Sequence, residues 1–270
     1  MIIFKSINKL NKKVNFKANI GFVPTMGSLH NGHISLIKSS KKNCKTTLVS
    51  IFINPSQFNK KSDLRKYPRN FKNDIKILKK LKVDYLLIPG SKEIYRKNKD
   101  KKIKLSQKDK IMCALYRPGH FEGVLAVINQ FLKKIKPSSI FLGEKDYQQL
   151  FLIKKFIKKK FRINVYSCKT VRDKNRIALS SRNSLLSNND LKKSSYIAGL
   201  LLNLQNKLKN NIYLKYEIEN ITKNINKLKN IKVEYLEIRN KKNLSKYYSK
   251  NNFKIFLAYY NKKVRLIDNY

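Results

Sequence analysis

Short β-rich runs alternate with helical patterns along the first two-thirds of this 270-residue chain. The predicted strands are Ile20–Val23, Thr46–Phe52, Tyr85–Ile88, Ser139–Leu142 and Ile163–Ser167. Apolar stripes at helical spacing cover Phe71–Leu81, Phe121–Ile135 and Leu150–Ile157. Such alternation is typical of βαβ units, which build a mainly parallel sheet. We therefore expect an α/β fold with a Rossmann-like parallel sheet and flanking helices.

The pattern changes after about Arg172. Helical patterns over Asp190–Lys209 and Tyr213–Leu228 precede three β-like runs, VEYLEI, FKIFLAYY and KVRLID. Helices followed by a group of strands favour an α+β arrangement. We therefore predict two domains, a Rossmann-like catalytic domain over residues 1–171 and a smaller C-terminal α+β domain over residues 172–270.

The charge balance is strongly basic, with 62 Lys and Arg against 16 Asp and Glu and a formal net charge of +46. Such a balance usually indicates a polyanionic partner. The lysines are scattered along the whole length, however, and A+T-rich codons would favour Lys, Asn and Ile together. We therefore expect no specific nucleic-acid partner. A basic nucleic-acid-binding protein with a similar fold is the alternative from another functional class.

The sequence also predicts a cytoplasmic protein without a membrane partner. No stretch approaches the roughly 18–20 apolar residues of a membrane span. The apolar run before Lys5 is too short for a signal peptide. Cys44, Cys113 and Cys168 are widely separated, which favours free thiols in a reducing compartment.

The segment GFVPTMGSLHNGHISLIKSS carries two of the three histidines within four residues. A strand is expected to end near Val23, and a helix to run from about Asn31 to Lys42. His30 and His33 then lie in the first helical turn, spaced so that both project to one side. A helix N-terminus favours anions, and Gly32 allows a ligand to approach the backbone. This pattern favours a phosphate site, although two histidines in an ordinary helix cap remain the alternative.

Seven blocks resemble, in order, the motifs of one enzyme family. The stretch PTMGSLHNGH resembles the PTMGxLHxGH motif of the pantoate–β-alanine ligase (pantothenate synthetase) family, which belongs to the HxGH-type nucleotidyltransferases. The later blocks are VSIFINPSQF, DLRKYPRNFKND, YRPGHFEGVLAVINQFLKKIKP, FLGEKDYQQL, ALSSRNSLLS and RLIDN. The resemblance covers nearly the full length of the chain.

The resemblance implies an AMP-forming ligase of coenzyme A biosynthesis. In that family, the pantoate carboxylate attacks the α-phosphorus of ATP and gives pantoyl adenylate and pyrophosphate. The amine of β-alanine then displaces AMP and forms pantothenate. ATP is thus a substrate, expected as its Mg²⁺ complex, and no prosthetic group is implied. The family also implies a homodimer. A related adenylyltransferase that activates a different small acid is the second alternative.

The resemblance also assigns the ATP-contacting and catalytic residues. His33, His30 and Lys145 are the catalytic candidates, because adenylation needs positioning and donors for a growing negative charge. The positions assigned to ATP are Met26, Gly27, Ser28, Leu29, His30, Asn31, Gly32, His33, Gly143, Glu144, Lys145, Asp146, Val171, Leu179, Ser180, Ser181 and Arg182. The last of these blocks lies where the second domain begins, so closure of that domain is expected to exclude water.

The remaining assignments concern the acid substrate and the metal. Gln57 and Gln149 match the glutamines that hold pantoate, and an amide can both donate and accept hydrogen bonds. Asp74 is a candidate for Mg²⁺ or for the β-alanine ammonium group. His120 either organises a helix entrance or takes a direct part in catalysis.

One departure from the family pattern precedes the ALSSRN block. The family usually has Asp-Gly where this chain has Asn175 and Arg176. Loss of the glycine removes easy access to a positive φ angle. We therefore expect a turn of different shape before Ser180, which would alter the adenine contact near Val171.

Overall fold

The structure is a computed structural model that describes residues 1–15, 19–59, 61–95, 103–210 and 215–270. The chain divides into two compact units, Met1–Lys169 and Thr170–Tyr270. The assignment of residues 1–171 and 172–270 as catalytic and closing domains stays a prediction about function.

The first unit alternates strands and helices. Its described strands are β1 (Ile2–Phe4), β2 (Ile20–Thr25), β3 (Thr46–Ile51), β4 (Tyr85–Leu87), β5 (Ser139–Gly143) and β6 (Asn164–Cys168). Its described helices are α1 (Ile7–Lys13), α2 (Asn31–Asn43), α3 (Lys61–Lys66), α4 (Phe71–Lys80), α5 (Ser91–Ile94), α6 (Cys113–Tyr116), α7 (His120–Ile135) and α8 (Tyr147–Lys160). The five predicted strands and the predicted helices of this unit are all present, with ends shifted by a few residues.

The six strands form one parallel sheet in the order β1-β4-β3-β2-β5-β6. This arrangement confirms the predicted α/β fold with a parallel sheet. Strand β1 was not predicted, because three apolar residues carry too weak a pattern. Ile2 and Ile3 are exposed, and the strand is defined only by its pairing with Tyr85–Leu87 at the sheet edge.

The central strands are apolar on both faces because helices cover both sides of the sheet. Phe22 lies on one face, where its ring centroid is 5.3 Å from that of Phe131 in α7. Val23 lies on the opposite face. It shares a buried cluster with Ile37 of α2 and Leu78 of α4. These two layers fix the helices whose first turns border the carboxyl ends of the strands.

The order of the strands creates a switch point between β2 and β5. From β2 the chain adds β3 and then β4 on one side, whereas β5 pairs with β2 on the other side. Connections therefore leave the carboxyl ends of these two neighbours in opposite directions. In doubly wound sheets, ligands bind in the crevice at such a point.

The second unit has two long helices and an antiparallel sheet. Its described elements are α9 (Asn188–Lys209), α10 (Lys215–Asn226), β7 (Ile231–Asn240), β8 (Phe253–Asn261) and β9 (Val264–Asn269). The sheet order is β7-β8-β9. This confirms the predicted α+β pattern. Residues 213 and 214 of the helix predicted over Tyr213–Leu228 lie outside the described residues, and α10 ends two residues earlier than predicted.

The three cysteines are buried, and none of them forms a disulfide bond within the described part of the chain. Among the helices that the structure describes, none is both long enough and apolar enough to cross a membrane.

Gly21→Ala tests the contact between the sheet and α2. A Cβ atom at Gly21 would lie 2.2 Å from Ser40 Oγ and 2.9 Å from Phe141 Cε2. Ser40 is itself fixed by a buried 2.8 Å hydrogen bond to Thr47 Oγ1. We expect the substitution to destabilise the fold by about 1–3 kcal/mol through overpacking.

Thermal unfolding would measure this effect. Gly199→Ala is the control, because a Cβ atom at this position in α9 meets nothing within 4 Å. Alanine is also the better helix former, so no loss of stability is expected in the control. An unchanged Tm for Gly21→Ala would contradict the proposed packing.

Candidate active site

The loop after β2, Met26–His30, makes a tight turn with two successive left-handed residues. Gly27 has φ 78° and Ser28 has φ 52°. Thr25 starts the turn, since its Oγ1 donates to Ser50 O at 2.8 Å and accepts from Gly27 N at 3.2 Å. A Cβ atom at Gly27 would lie 3.0 Å from Asp74 Oδ2. Glycine is therefore needed here for its backbone angle and for the close approach of a carboxylate.

Asp74 holds this loop from the first turn of α4. Its carboxylate is 1% exposed. Oδ2 accepts from Ser28 N at 2.8 Å, and Oδ1 accepts from Leu29 N at 2.7 Å. Both oxygens thus bind backbone N–H groups. This geometry favours a role in holding the loop over the expected contact with Mg²⁺ or the β-alanine ammonium group.

His30 and His33 cap the helix with their imidazoles. His30 Nδ1 accepts from Gly32 N at 3.1 Å, and His33 Nδ1 accepts from His30 N at 3.3 Å. In a neutral imidazole whose Nδ1 is an acceptor, the proton resides on Nε2. The hydrogen-bond network therefore assigns both rings as Nε2–H donors. Their centroids are 4.1 Å apart.

This capping changes which groups at the start of α2 can donate hydrogen bonds to an anion. The sequence pattern predicted unpaired backbone N–H groups at the start of α2. Two of these groups, on His30 and Gly32, are instead bound by the imidazoles. These two backbone N–H groups are therefore not open to a ligand while the caps are in place.

Burial keeps both imidazoles neutral at neutral pH. Desolvation, with the nearby Lys145 charge, lowers the pKa of His30 to about 4. Desolvation, the His30 charge and Lys145 lower the pKa of His33 to about 3. Both imidazoles therefore carry no charge at neutral pH in the ligand-free protein.

Lys145 lies just beyond the carboxyl end of β5, the strand that pairs with β2. It lies in a single 3-10 turn, Glu144–Asp146, directly after Gly143 at the end of the strand. Its side chain is 20% exposed, and Nζ lies 3.8 Å from Asp146 Oδ1. Because β5 pairs with β2, this turn and the loop after β2 lie side by side at the switch point. The structure thus brings together all three predicted catalytic residues.

The turn that carries Gln57 lies after the neighbouring strand β3. It is a 3-10 turn, Pro55–Gln57, capped by the buried Asn54. Asn54 Oδ1 accepts from Tyr95 OH at 2.8 Å, and its Nδ2 donates to Gly123 O at 3.1 Å. A Cβ atom at Gly123 would lie 2.3 Å from Ser56 O, so α7 approaches the turn backbone closely.

Sequence reasoning assigned no role to Asn54, Tyr95 or Gly123. The first two belong to separate elements, and their contact depends on the folded chain. The only local signal was an Asn before Pro, a pair that favours the start of a turn.

His120 holds the same turn from the first residue of α7. Arg117 Nη1 donates to His120 Nε2 at 2.9 Å, so Nδ1 carries the proton and donates to Gln57 O at 2.7 Å. Arg117 Nη2 also donates to Gln57 O, at 3.2 Å. This arrangement favours the helix-entrance interpretation of His120.

Gln149 lies in the first turn of α8 and is half-buried. The adjacent Gln148 is buried instead, where its Nε2 donates to Ile111 O at 2.7 Å. Gln57 and Gln149 therefore follow the two strands that flank β2, on the same edge of the sheet. Their assignment to pantoate stays a prediction.

The other assigned positions of the first unit lie in the same two loops. Met26 is half-buried and Asn31 is exposed at the start of α2. Glu144 and Asp146 are both half-buried.

The last predicted block lies in the second unit, after a short hairpin. Leu179 N donates to Val171 O at 3.0 Å, and Ser180 Oγ accepts from Arg182 N at 3.2 Å. Ser181 begins a 3-10 turn that ends at Leu185. The contact of this block with ATP stays a prediction.

The hairpin shows how the chain accommodates its departure from the family pattern. Arg176 has φ 67°, the left-handed conformation that a glycine adopts without cost. Asp173 Oδ1 accepts from Asn175 N and from Ile177 N, both at 2.9 Å. These bonds hold the turn in a conformation that costs an arginine roughly 1–2 kcal/mol.

A family model described as Pantoate-beta-alanine ligase matches residues 2–270. The chain therefore belongs to the pantoate–β-alanine ligase family. Pantothenate synthetase from Francisella tularensis subsp. novicida is 39% identical over 278 residues, which cover 100% of this chain and 97% of that protein.

Solved structures of the family match over the whole chain. Pantothenate synthetase from Thermus thermophilus has a TM-score of 0.92 at 28% identity, and the match covers 100% of this chain and 99% of that one. Pantoate-beta-alanine ligase from Francisella tularensis, complexed with Beta-gamma ATP and Beta-alanine, has a TM-score of 0.86 at 38% identity. That match covers 100% of this chain and 97% of that one.

The lowered histidine pKa values can be tested by nitrogen-15 NMR of the ligand-free enzyme. We expect His30 and His33 to keep neutral, Nε2-protonated rings from pH 8 to pH 5, because burial and Lys145 disfavour their charged forms. Imidazoles of the urea-unfolded chain should titrate near pH 6.5. Protonation of either folded ring between pH 6 and 7 would contradict the assignment.

The same pKa shifts give the sign of a stability effect. Below about pH 6.5 the unfolded chain binds protons that the folded imidazoles do not bind. The free energy of unfolding therefore falls as the pH is lowered from about 6.5. The contribution of His30 extends down to about pH 4 and that of His33 down to about pH 3.

Proposed function

We propose that this protein condenses pantoate with β-alanine at the expense of ATP, with pantoyl adenylate as the intermediate. The products are pantothenate, AMP and pyrophosphate. The observation that carries the proposal is the placement of His30, His33 and Lys145 at the switch point of a chain that matches the ligase family over residues 2–270. The Francisella tularensis relative complexed with Beta-gamma ATP and Beta-alanine supports two of the three substrates.

The first step needs donors for negative charge. A pantoate carboxylate oxygen forms a bond to the α-phosphorus, and the bond from that phosphorus to the bridging oxygen breaks. The electron pair leaves with pyrophosphate, so charge grows on the phosphate oxygens. Two neutral Nε2–H donors and the Lys145 ammonium are suited to stabilise this charge, because they are fixed before the reaction begins. Neither imidazole transfers a proton in this step.

The acid is selected by amides in this proposal. Gln57 and Gln149 offer donors and acceptors to the hydroxyl groups and carboxylate of pantoate without adding a fixed charge. Asn54, Arg117 and His120 hold the backbone turn that carries Gln57. In the second step the neutral amine of β-alanine attacks the acyl carbon, the bond from that carbon to the AMP oxygen breaks, and the nitrogen releases one proton to solvent as the amide forms.

Mg²⁺ is proposed to arrive with ATP. This ion binds mainly through substrate phosphates and retains several waters. Within the described ranges, no group of three or more His, Cys, Asp or Glu side chains is placed to hold a metal. We also propose a cytoplasmic homodimer, which the family resemblance supports.

Exchange of labelled pyrophosphate into ATP tests the proposed reaction. Pantoate alone should support exchange, because adenylation is reversible and does not need the amine. Addition of β-alanine should then yield pantothenate and AMP. Omission of Mg²⁺ should slow exchange, since the metal neutralises the leaving pyrophosphate.

The alternatives predict other outcomes in the same assay. An adenylyltransferase for another acid would show exchange only with that acid, and a nucleic-acid-binding protein would show none. Well-folded protein without pantoate-dependent exchange would refute the proposed function.

His33→Ala and His120→Ala separate charge stabilisation from positioning. We expect His33→Ala to lower the single-turnover rate of adenylation by about 10²-fold or more, the effect of losing one preorganised donor. His120→Ala is the matched control. It should reduce this rate less and should mainly raise the KM for pantoate, because it frees the backbone turn of Gln57. Near-normal adenylation by the His33 variant would remove its catalytic role.

A further inference from the structure

The hairpin Val171–Leu179 leads directly into the block assigned to ATP in the second unit. Its arms are joined by the bond from Leu179 N to Val171 O, at 3.0 Å, and by a bridge between Arg172 and Ala178. Asp173 N donates to Ile177 O near the turn, also at 3.0 Å. Ser180 comes directly after the second arm, so the orientation of the hairpin determines the position of Ser180.

The block itself is tied to the hairpin. Asn183 Nδ2 donates to Ala178 O at 3.1 Å, and Asn183 N donates to Ser180 O at 3.0 Å. Ser180 Oγ accepts from Arg182 N. Residues 180–183 therefore form a compact turn whose position follows that of the second arm.

Arg172 connects the hairpin to the end of β9. Its guanidinium donates to both carboxylate oxygens of Asp268 at 2.9 Å, and Nη2 also donates to Asn269 O at 2.9 Å. The guanidinium carbon lies 3.9 Å from the centroid of the Tyr270 ring. A two-pronged Arg–carboxylate pair over an aromatic ring restricts the guanidinium in direction as well as distance.

The same group also holds the strained turn of the hairpin. Arg172 Nη1 donates to Arg176 O at 2.9 Å, and Tyr270 OH donates to this oxygen at 3.4 Å. Arg176 is the residue with a positive φ angle at the position where the family usually has glycine. The turn is thus fixed by distant side chains rather than by a glycine.

We propose that Arg172, Asp268 and Tyr270 form a hairpin clamp that positions Ser180–Arg182 for ATP. The three are positioning residues, because they act through the hairpin and are not assigned to the substrate. This inference rests on the proposed function for its choice of ligand. The clamp makes the last strand of the chain a determinant of nucleotide affinity.

Asp268→Asn is the first test, because it keeps the side-chain shape and removes the charge that fixes Arg172. We expect the KM for ATP to rise about tenfold, the loss that follows from weakening a charge-assisted hydrogen bond. The kcat and the KM values for pantoate and β-alanine should change by less than about threefold, because the first unit is untouched.

Glu234→Gln is the matched control. Glu234 pairs with Arg265 across the same small sheet, and their side chains are 10% and 14% exposed. Asp268 and Arg172 are 10% and 21% exposed. The control removes an ion pair of similar burial between β7 and β9, and it should leave the KM for ATP within about twofold.

Two further measurements do not require turnover. Hydrogen exchange of amides 179–183 in the ligand-free protein should be faster in the Asp268 variant than in the Glu234 variant. Calorimetric binding of ATP should weaken about tenfold in the former only. Tyr270→Phe keeps the ring but removes the hydroxyl donor, and it should give a smaller shift in the same direction.

The outcomes separate the clamp from the proposed function. Equal ATP affinity and equal amide exchange in the Asp268 and Glu234 variants would refute the clamp. Absence of pantoate-dependent exchange in the wild-type protein would refute the proposed function. The measurements of ATP binding and amide exchange would still show whether the clamp positions Ser180–Arg182.

Discussion

The candidate site in the first unit depends on two hydrogen bonds, which two backbone N–H groups donate to the buried carboxylate of Asp74. Asp74 binds the N–H groups of Ser28 and Leu29, and it thereby holds two successive left-handed residues between β2 and α2. Without that anchor, the backbone would relax towards conformations that cost less. The caps of His30 and His33 would then lose their geometry, because both depend on where α2 begins. The Asp74 carboxylate in α4 thus determines the direction in which the two imidazoles point.

The sheet topology explains why distant blocks of sequence meet. The two histidines follow β2 and Lys145 follows β5, and these strands are adjacent in the sheet although β3 and β4 lie between them in the chain. Gln57 follows β3, on the other side of β2. Because the strands are parallel, all blocks that follow a strand's carboxyl end lie at the same edge of the sheet. Strand order therefore brings the candidate residues to one edge of the sheet, and the loops then set the direction of their side chains.

The sequence predicted what depends on local pattern and left out what depends on contacts at a distance. Apolar runs and stripes located the five central strands, and a motif located His30 and His33. The role of Asp74 was not predicted, because a carboxylate in a helical pattern gives no sign of which backbone it binds. The Asn54–Tyr95 contact and the tautomer of His120 were missed for the same reason. Strand β1 was missed because only its partner strand defines it.

The acidic residues also limit how basic the composition of this chain can become. Its 16 carboxylates are far outnumbered by 62 basic side chains, so the loss of a carboxylate cannot easily be made good by a neighbour. Asp74, Asp173 and Asp268 each accept two or more hydrogen bonds that hold a loop, a turn or a strand end. Replacement of any of them would leave these donors without their acceptor. Folding, rather than catalysis, therefore requires that this lysine-rich chain keep these three carboxylates.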